Sequence, residues 1–127
     1  IGTSAASLLD GVSFVDGSGL SRENMINASL MTAWLAALTH ESFGDKFVAS
    51  LAAGGTEGTL RKRFKTPLPS GAKVEAKSGY INGVSCLSGY VTMPTGQRYA
   101  FSVLINNALS IAKAKRLQEN IVKAIAG

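Results

Sequence analysis

Between Arg22 and Thr39 the apolar residues Met25, Ile26, Leu30, Trp34, Leu35 and Leu38 fall at helical spacing. That spacing predicts a helix with one apolar stripe, and Ser21 just before it is a good N-cap. The stripe is read as core packing rather than as a groove for a partner. Gly44 breaks the period. Asp45 is then placed to cap a second short helix carrying Phe47, Val48 and Leu51, closed by Gly54-Gly55. Another helical turn is expected around Gly58 to Phe64. Past Pro67 and Pro69 the alternation changes to every second residue. Lys73–Ser78, Val84–Met93 and Gln97–Asn106 read as strands. Asn82-Gly83 is the strongest short hairpin signal in the chain, and Pro94-Thr95-Gly96 makes the next turn. In the last strand Tyr99, Phe101, Val103 and Ile105 share one face, and Ala100 and Leu104 lie on the other. Apolar residues on both faces predict cover on both sides. Ile111, Ala114, Leu117, Ile121 and Ile125 then predict a final helix from Ser110, its N-cap, to about Ala126, with Lys113, Lys115, Arg116 and Lys123 on its wet face. Near the start, Ala5 to Leu9 reads as a helical turn or the tail of a longer helix, Val12–Val15 as a short strand and Asp16-Gly17-Ser18-Gly19 as a tight turn. The class is α+β: an antiparallel sheet of three main C-terminal strands, covered by helices, with the C-terminal helix packed on it.

Composition narrows the functional classes. The 127 residues make a single domain, 1–127, long enough for a core. A hydrophobic share of 46% against 17% charged residues excludes a disordered chain. A net charge of +5 admits nucleic acid, anionic lipid, an acidic polymer or a carboxylate, and chooses none of them. The densest basic run, Arg61, Lys62, Arg63 and Lys65, reads as a solvated face. Phe64 is its only aromatic residue, so a nucleic-acid stacking platform is poorly supported. One cysteine, Cys86, excludes an internal disulfide and reads as a buried, inert thiol. With His40 as the lone histidine, at a predicted helix end, a metal site is not expected, and no cofactor is. No apolar run reaches the length of about 18 residues that a membrane span needs. No leader pattern is visible, and the opening Ile1-Gly2-Thr3 suggests a mature product or an excised piece.

The chemistry concentrates in Val74–Tyr80. There a lysine, a hydroxyl and a glycine, Lys77-Ser78-Gly79, stand side by side at a strand edge. The lysine supplies positive charge for a carboxylate, the hydroxyl a hydrogen bond to it, and the glycine lets a ligand lie close to the backbone. Such a tripeptide is common, and its plainer reading is a lysine before a turn. It is also one of three motifs of the serine acyl-enzymes that handle penicillin. Of the other two, Ser-x-x-Lys is matched by Ser110-Ile111-Ala112-Lys113, which opens the last helix, where a serine is an ordinary cap. Ser-x-Asn is not found, since Ser21-Arg22-Glu23-Asn24 has one residue too many. Spacing alone therefore predicts a carboxylate-binding edge strand without a nucleophile.

Several further stretches occur in one order along residues 12–125. They are Asp16-Gly17-Ser18-Gly19-Leu20-Ser21-Arg22 with Asn24, Gly58-Thr59-Leu60 with Arg63, Ala76-Lys77-Ser78-Gly79, Gly83-Val84, Leu87-Ser88-Gly89-Tyr90-Val91 and Gly96-Gln97-Arg98-Tyr99-Ala100-Phe101. The set resembles the carboxy-terminal part of the D-alanyl-D-alanine carboxypeptidase/endopeptidases, the class C low-molecular-mass penicillin-binding proteins. The resemblance implies a partial β-lactamase/transpeptidase-like fold, this chain being its C-terminal portion. It implies that Lys77, Ser78 and Gly79 form the third motif, with serine in the usual threonine place. Lys77 and Ser78 would then hold the terminal carboxylate of a peptidoglycan peptide or a β-lactam, and the N–H of Tyr80 would be half of the oxyanion hole. Asp16 to Arg22 would be a structural junction, with Ser18 and Ser21 structural. The nucleophile would come from a remaining N-terminal part of the same protein, in the periplasm or cell envelope. The competing reading is a non-catalytic basic module that holds an anionic cell-wall polymer through Arg61, Lys62 and Arg63. Nucleic-acid binding rests on net charge alone and ranks last.

Overall fold

Asn82 and Gly83 both adopt positive φ, 33° and 86°. This is the twist a two-residue hairpin needs, and the strands on either side pair without a gap. The element order in the computed structural model, which describes residues 5–127, is α1 (Ala5–Leu8), α2 (Ala28–Leu38), α3 (Gly44–Ala49), β1 (Ala52–Ala53), β2 (Lys73–Ile81), β3 (Val84–Thr92), β4 (Arg98–Ile105) and α4 (Ile111–Ile125). Single 3-10 turns lie at Gly58–Leu60 and Pro69–Gly71. The expectation about Ile1–Thr3 lies outside the described residues. Among the described residues no helix is long and apolar enough to cross a membrane.

The sheet is antiparallel throughout, in the order β1-β2-β3-β4. β2 runs on to Ile81, past its expected end at Ser78. β1 is a fourth strand that the periodicity does not predict; two residues are too few to show a period. It lies against Glu75 and Ala76, and Gly54 N donates to Val74 O at 3.0 Å.

Strand alternation gives the sheet two covered faces. Leu87 and Val91 of β3, Val74 of β2 and Phe101 of β4 point to one face, where Leu60, Phe64, Leu68, Val122 and Ala126 complete the main core. Gly89 sits among them because a Cβ there would collide with the carbonyl of Glu75 on β2. Tyr90 points to the opposite face and packs with Leu35 of α2 and Val48 of α3. Its hydroxyl donates to Leu35 O at 2.7 Å. The α+β class and the helical cover on both sides are therefore as the pattern implied.

The helices differ from expectation in detail. α2 begins at Ala28, not Arg22. The segment before it is held out of the helix by other bonds, with a turn at Arg22 and Glu23 and a bridge at Met25. Met25 forms an isolated bridge with Ser13, with N···O distances of 2.8 and 2.9 Å. Asn24 bonds to Val15 N, Asp16 N and the Asp16 carboxylate. Asn27 caps the helix, its Oδ1 accepting from Leu30 N at 2.7 Å, while Ser21 Oγ accepts from Glu23 N. Val12–Val15 accordingly supplies one bridge and no strand. Of the predicted stripe only Leu35 is buried; Met25 and Trp34 are 58% and 52% exposed. Asp45 lies in the first turn of α3 rather than at its cap, and its carboxylate meets Arg98 at 3.2 Å. Ser110 caps α4 as predicted, accepting from Lys113 N. The buried line of α4 is Ala114, Gln118 and Val122, and Leu117 faces solvent.

Candidate functional site

The outer edge of β2 is open from Lys77 onward. β1 opposes only Glu75 and Ala76. Because Gly54 N bonds to Val74 O, the backbone of Val74 faces outward. In an antiparallel ladder the N–H and C=O of each residue share a side, and the side alternates. The register of β2 with β3 is unbroken from Lys73 to Ile81. Ser78 and Tyr80 therefore turn their N–H and C=O groups to the uncovered edge. Lys77 Nζ reaches this edge and donates to Ser78 O at 2.9 Å.

Side chains alternate as well. Lys77 is exposed and lies on the α2 face, across from Ser88. Ser78 lies on the α4 face and donates through Oγ to Thr59 Oγ1 at 2.8 Å. A cavity of about 290 Å³ opens there, lined by Thr59, Ser78, Gly79, Tyr80 and Lys115 with Arg63 behind. The structure thus gathers Ser78, Gly79 and Tyr80 at one cavity and leaves Lys77 on the neighbouring side of the strand. Gly79 has ordinary φ, and the nearest atom to an added Cβ would be Cys86 Cβ at 3.7 Å. The chain's own packing does not require a glycine at this position.

Arg63 departs from the solvated-face reading. It is 8% exposed; its Nε bonds to Glu119 Oε1 at 2.9 Å, and its Nη2 to Lys115 O and Gln118 Oε1, each at 3.1 Å. Its guanidinium also lies over the Phe64 ring, 5.5 Å from the centroid. Gln118 in turn donates to Ser85 Oγ, which explains a fully buried glutamine on α4. Arg61, Lys62 and Lys65 stay exposed. The basic-module reading therefore loses one of its three cations. Sequence spacing gives no sign of this tie, since its partners lie more than fifty residues away.

Other candidate groups fall into structural places. Ser18 Oγ and the N–H groups of Gly19 and Ser21 all bond to the Asp16 carboxylate. The Ser18 hydroxyl first, then Asn24, holds that carboxyl below the usual carboxylate range. Cys86 is half-buried rather than buried, and burial pushes its thiol pKa up, which makes it a poor nucleophile. Ser70-Gly71-Ala72-Lys73 is a second stretch with Ser-x-x-Lys spacing, beside Ser110–Lys113. Ser70 stands in a turn with φ 56°, and Lys73, at the start of β2, is about 20 Å of strand away from Gly79.

The model of the D-Ala-D-Ala carboxypeptidase 3 (S13) family matches residues 7–126. The chain is 37% identical over 116 residues to a D-alanyl-D-alanine carboxypeptidase of Actinomadura sp. (strain R39), a match covering 87% of the chain and 21% of that protein. It is 38% identical over 104 residues to the penicillin-sensitive carboxypeptidase A of Dictyostelium discoideum, covering 74% of the chain and 19% of the relative. Penicillin-binding protein 4 from Haemophilus influenzae superposes with a TM-score of 0.78 at 23% identity, over 92% of this chain and 28% of that one. The same protein complexed with a β-lactam gives 0.73 at 27% identity, over 87% and 28%. The chain spans about a fifth of the length of the curated relatives it matches.

Proposed function

Because the chain belongs to the D-Ala-D-Ala carboxypeptidase 3 (S13) family, we propose that it supplies the carboxylate-gripping strand of a serine-type D-Ala-D-Ala carboxypeptidase or endopeptidase. The substrate is the peptide of peptidoglycan, cleaved through an acyl-enzyme, and a β-lactam occupies the same edge. Lys77 provides positive potential for the terminal carboxylate, and Ser78 donates a hydrogen bond to it. Gly79 lets the ligand backbone approach, and Tyr80 N–H takes one side of the oxyanion. The attacking serine and the second oxyanion donor come from a segment outside this chain. The protein works in the periplasm or cell envelope, where its polymer is found. Phe14, Leu20, Met25 and Trp34 are each more than half exposed, and α2 carries no charged residue. Exposed apolar side chains of this kind are what an N-terminal segment of the same protein would cover.

The observation that carries this reading is the open edge of β2, where Ser78 and Tyr80 turn their backbone groups outward beside the Lys77 ammonium. Fluorescent penicillin is the test. A longer polypeptide that contains this chain should label, and the 127-residue chain should not. Covalent labelling of the chain alone would show that it carries its own nucleophile. Failure of the longer protein to label would overturn the proposed activity.

A further inference from the structure

We infer that Thr59 is a positioning residue for the carboxylate site, its hydroxyl directing the Ser78 proton toward the ligand. The inference rests on the reading of Ser78 as a carboxylate donor. Ser78 Oγ donates to Thr59 Oγ1 at 2.8 Å. A serine hydroxyl has one proton and two acceptor sites. While that proton points at Thr59, none is left for a carboxylate. As they stand only Ser78 is angled to donate; a small turn of the Thr59 side chain reverses the pair, so that Thr59 O–H donates to Ser78 Oγ and Ser78 O–H turns to the anion. The hydroxyl–hydroxyl bond survives with opposite polarity, so arrival of the ligand costs no internal hydrogen bond. The new bond to the carboxylate is charge-assisted, and the Thr59 bond behind it polarises Ser78 further.

The fold holds Thr59 where this can happen. It sits on the 3-10 turn Gly58–Leu60, and the next residue, Leu60, is fully buried in the main core. Leu60 N donates to Glu57 O and Leu60 O accepts from Gly55 N, both at 3.1 Å. Thr59 itself is exposed and lines the same cavity as Ser78, Gly79 and Tyr80. Its backbone is therefore anchored while its hydroxyl stays free to rotate.

The test is an NMR titration of the full chain with diacetyl-Lys-D-Ala-D-Ala and with the same peptide amidated at its C-terminus, followed at the Ser78, Gly79 and Tyr80 amides. The natural chain is expected to prefer the carboxylate. Thr59→Val keeps the shape, removes the hydroxyl and should weaken carboxylate binding about fivefold to tenfold, with amide binding unchanged. Thr59→Ser should restore the preference. In a Ser78→Ala chain, Thr59→Val should have no further effect. Equal affinity in Thr59→Val, or an equal loss for both peptides, would overturn the relay and leave the Ser78 reading standing. No preference in the natural chain would overturn both.

Discussion

Gly89 in the middle of the sheet and Gly79 at its outer edge are bare for opposite reasons. At Gly89 the neighbouring strand leaves no space, and a methyl group would run into the backbone of Glu75 and Ala76. At Gly79 there is space, and the fold makes no use of it. The same contrast extends to their surroundings. Leu87, Tyr90 and Val91 on β3 are fully buried, whereas Lys77, Gly79 and Tyr80 on β2 are exposed. A residue whose identity the core demands reports on stability. A residue whose identity nothing inside the chain demands reports on what arrives from outside.

That contrast can be broken by substitution. The largest effect is expected at the centre. Leu87→Ala removes a fully buried side chain from the main core and should destabilise the chain by about 2–5 kcal/mol in denaturant unfolding. Gly89→Ala should destabilise comparably, since the obstructing atoms are backbone and cannot swing aside. Next comes Arg63→Ala, which strips bonds from Gln118, Glu119 and the Lys115 carbonyl and should cost about 2–3 kcal/mol. A near-neutral result would mean that the tie between the basic loop and α4 is dispensable. Gly79→Ala should leave the unfolding midpoint within about 0.5 kcal/mol of the natural chain yet abolish binding of a carboxylate-ended peptide. A large stability loss there would erase the distinction between the two glycines. Lys77→Ala should change stability by less than about 0.5 kcal/mol and flatten the salt dependence of peptide binding.

The smallest effect concerns pH and lies away from both strands. Asp16 has a lowered pKa in the fold because Ser18, Asn24 and two backbone N–H groups bond to its charged form. A depressed folded pKa means that its contribution is complete above the ordinary carboxylate range and fades as pH falls through the folded value. Unfolding followed in buffers stepped down through and below the ordinary carboxylate range should show a shallow loss of stability on acidification that Asp16→Asn removes. An unchanged slope in that variant would place the loss elsewhere.

Much of the sheet is a local matter. Asn82-Gly83 takes its turn from backbone preferences at two adjacent positions, and the alternation around it sets which side chains share a face. The Ser110 cap needs only its own helix. Lys77-Ser78-Gly79 was visible as letters for the same reason. α2 starts later than its apolar period implies because Asn24 and Met25 are claimed by Asp16 and Ser13, about ten residues upstream. Periodicity cannot weigh such competition.

Period, turn chemistry and an ordered set of short motifs are written in neighbouring residues, so the letters alone were enough for the α+β class, the hairpin, the final helix and the family. The burial of Arg63 against Glu119, the place of Gln118 in the core, the two-residue β1 and the meeting of Thr59 with Ser78 depend on segments brought together across 19 to 56 positions. Such contacts exist only once the sheet has formed and its faces are covered, because each needs a partner that chain order does not place nearby.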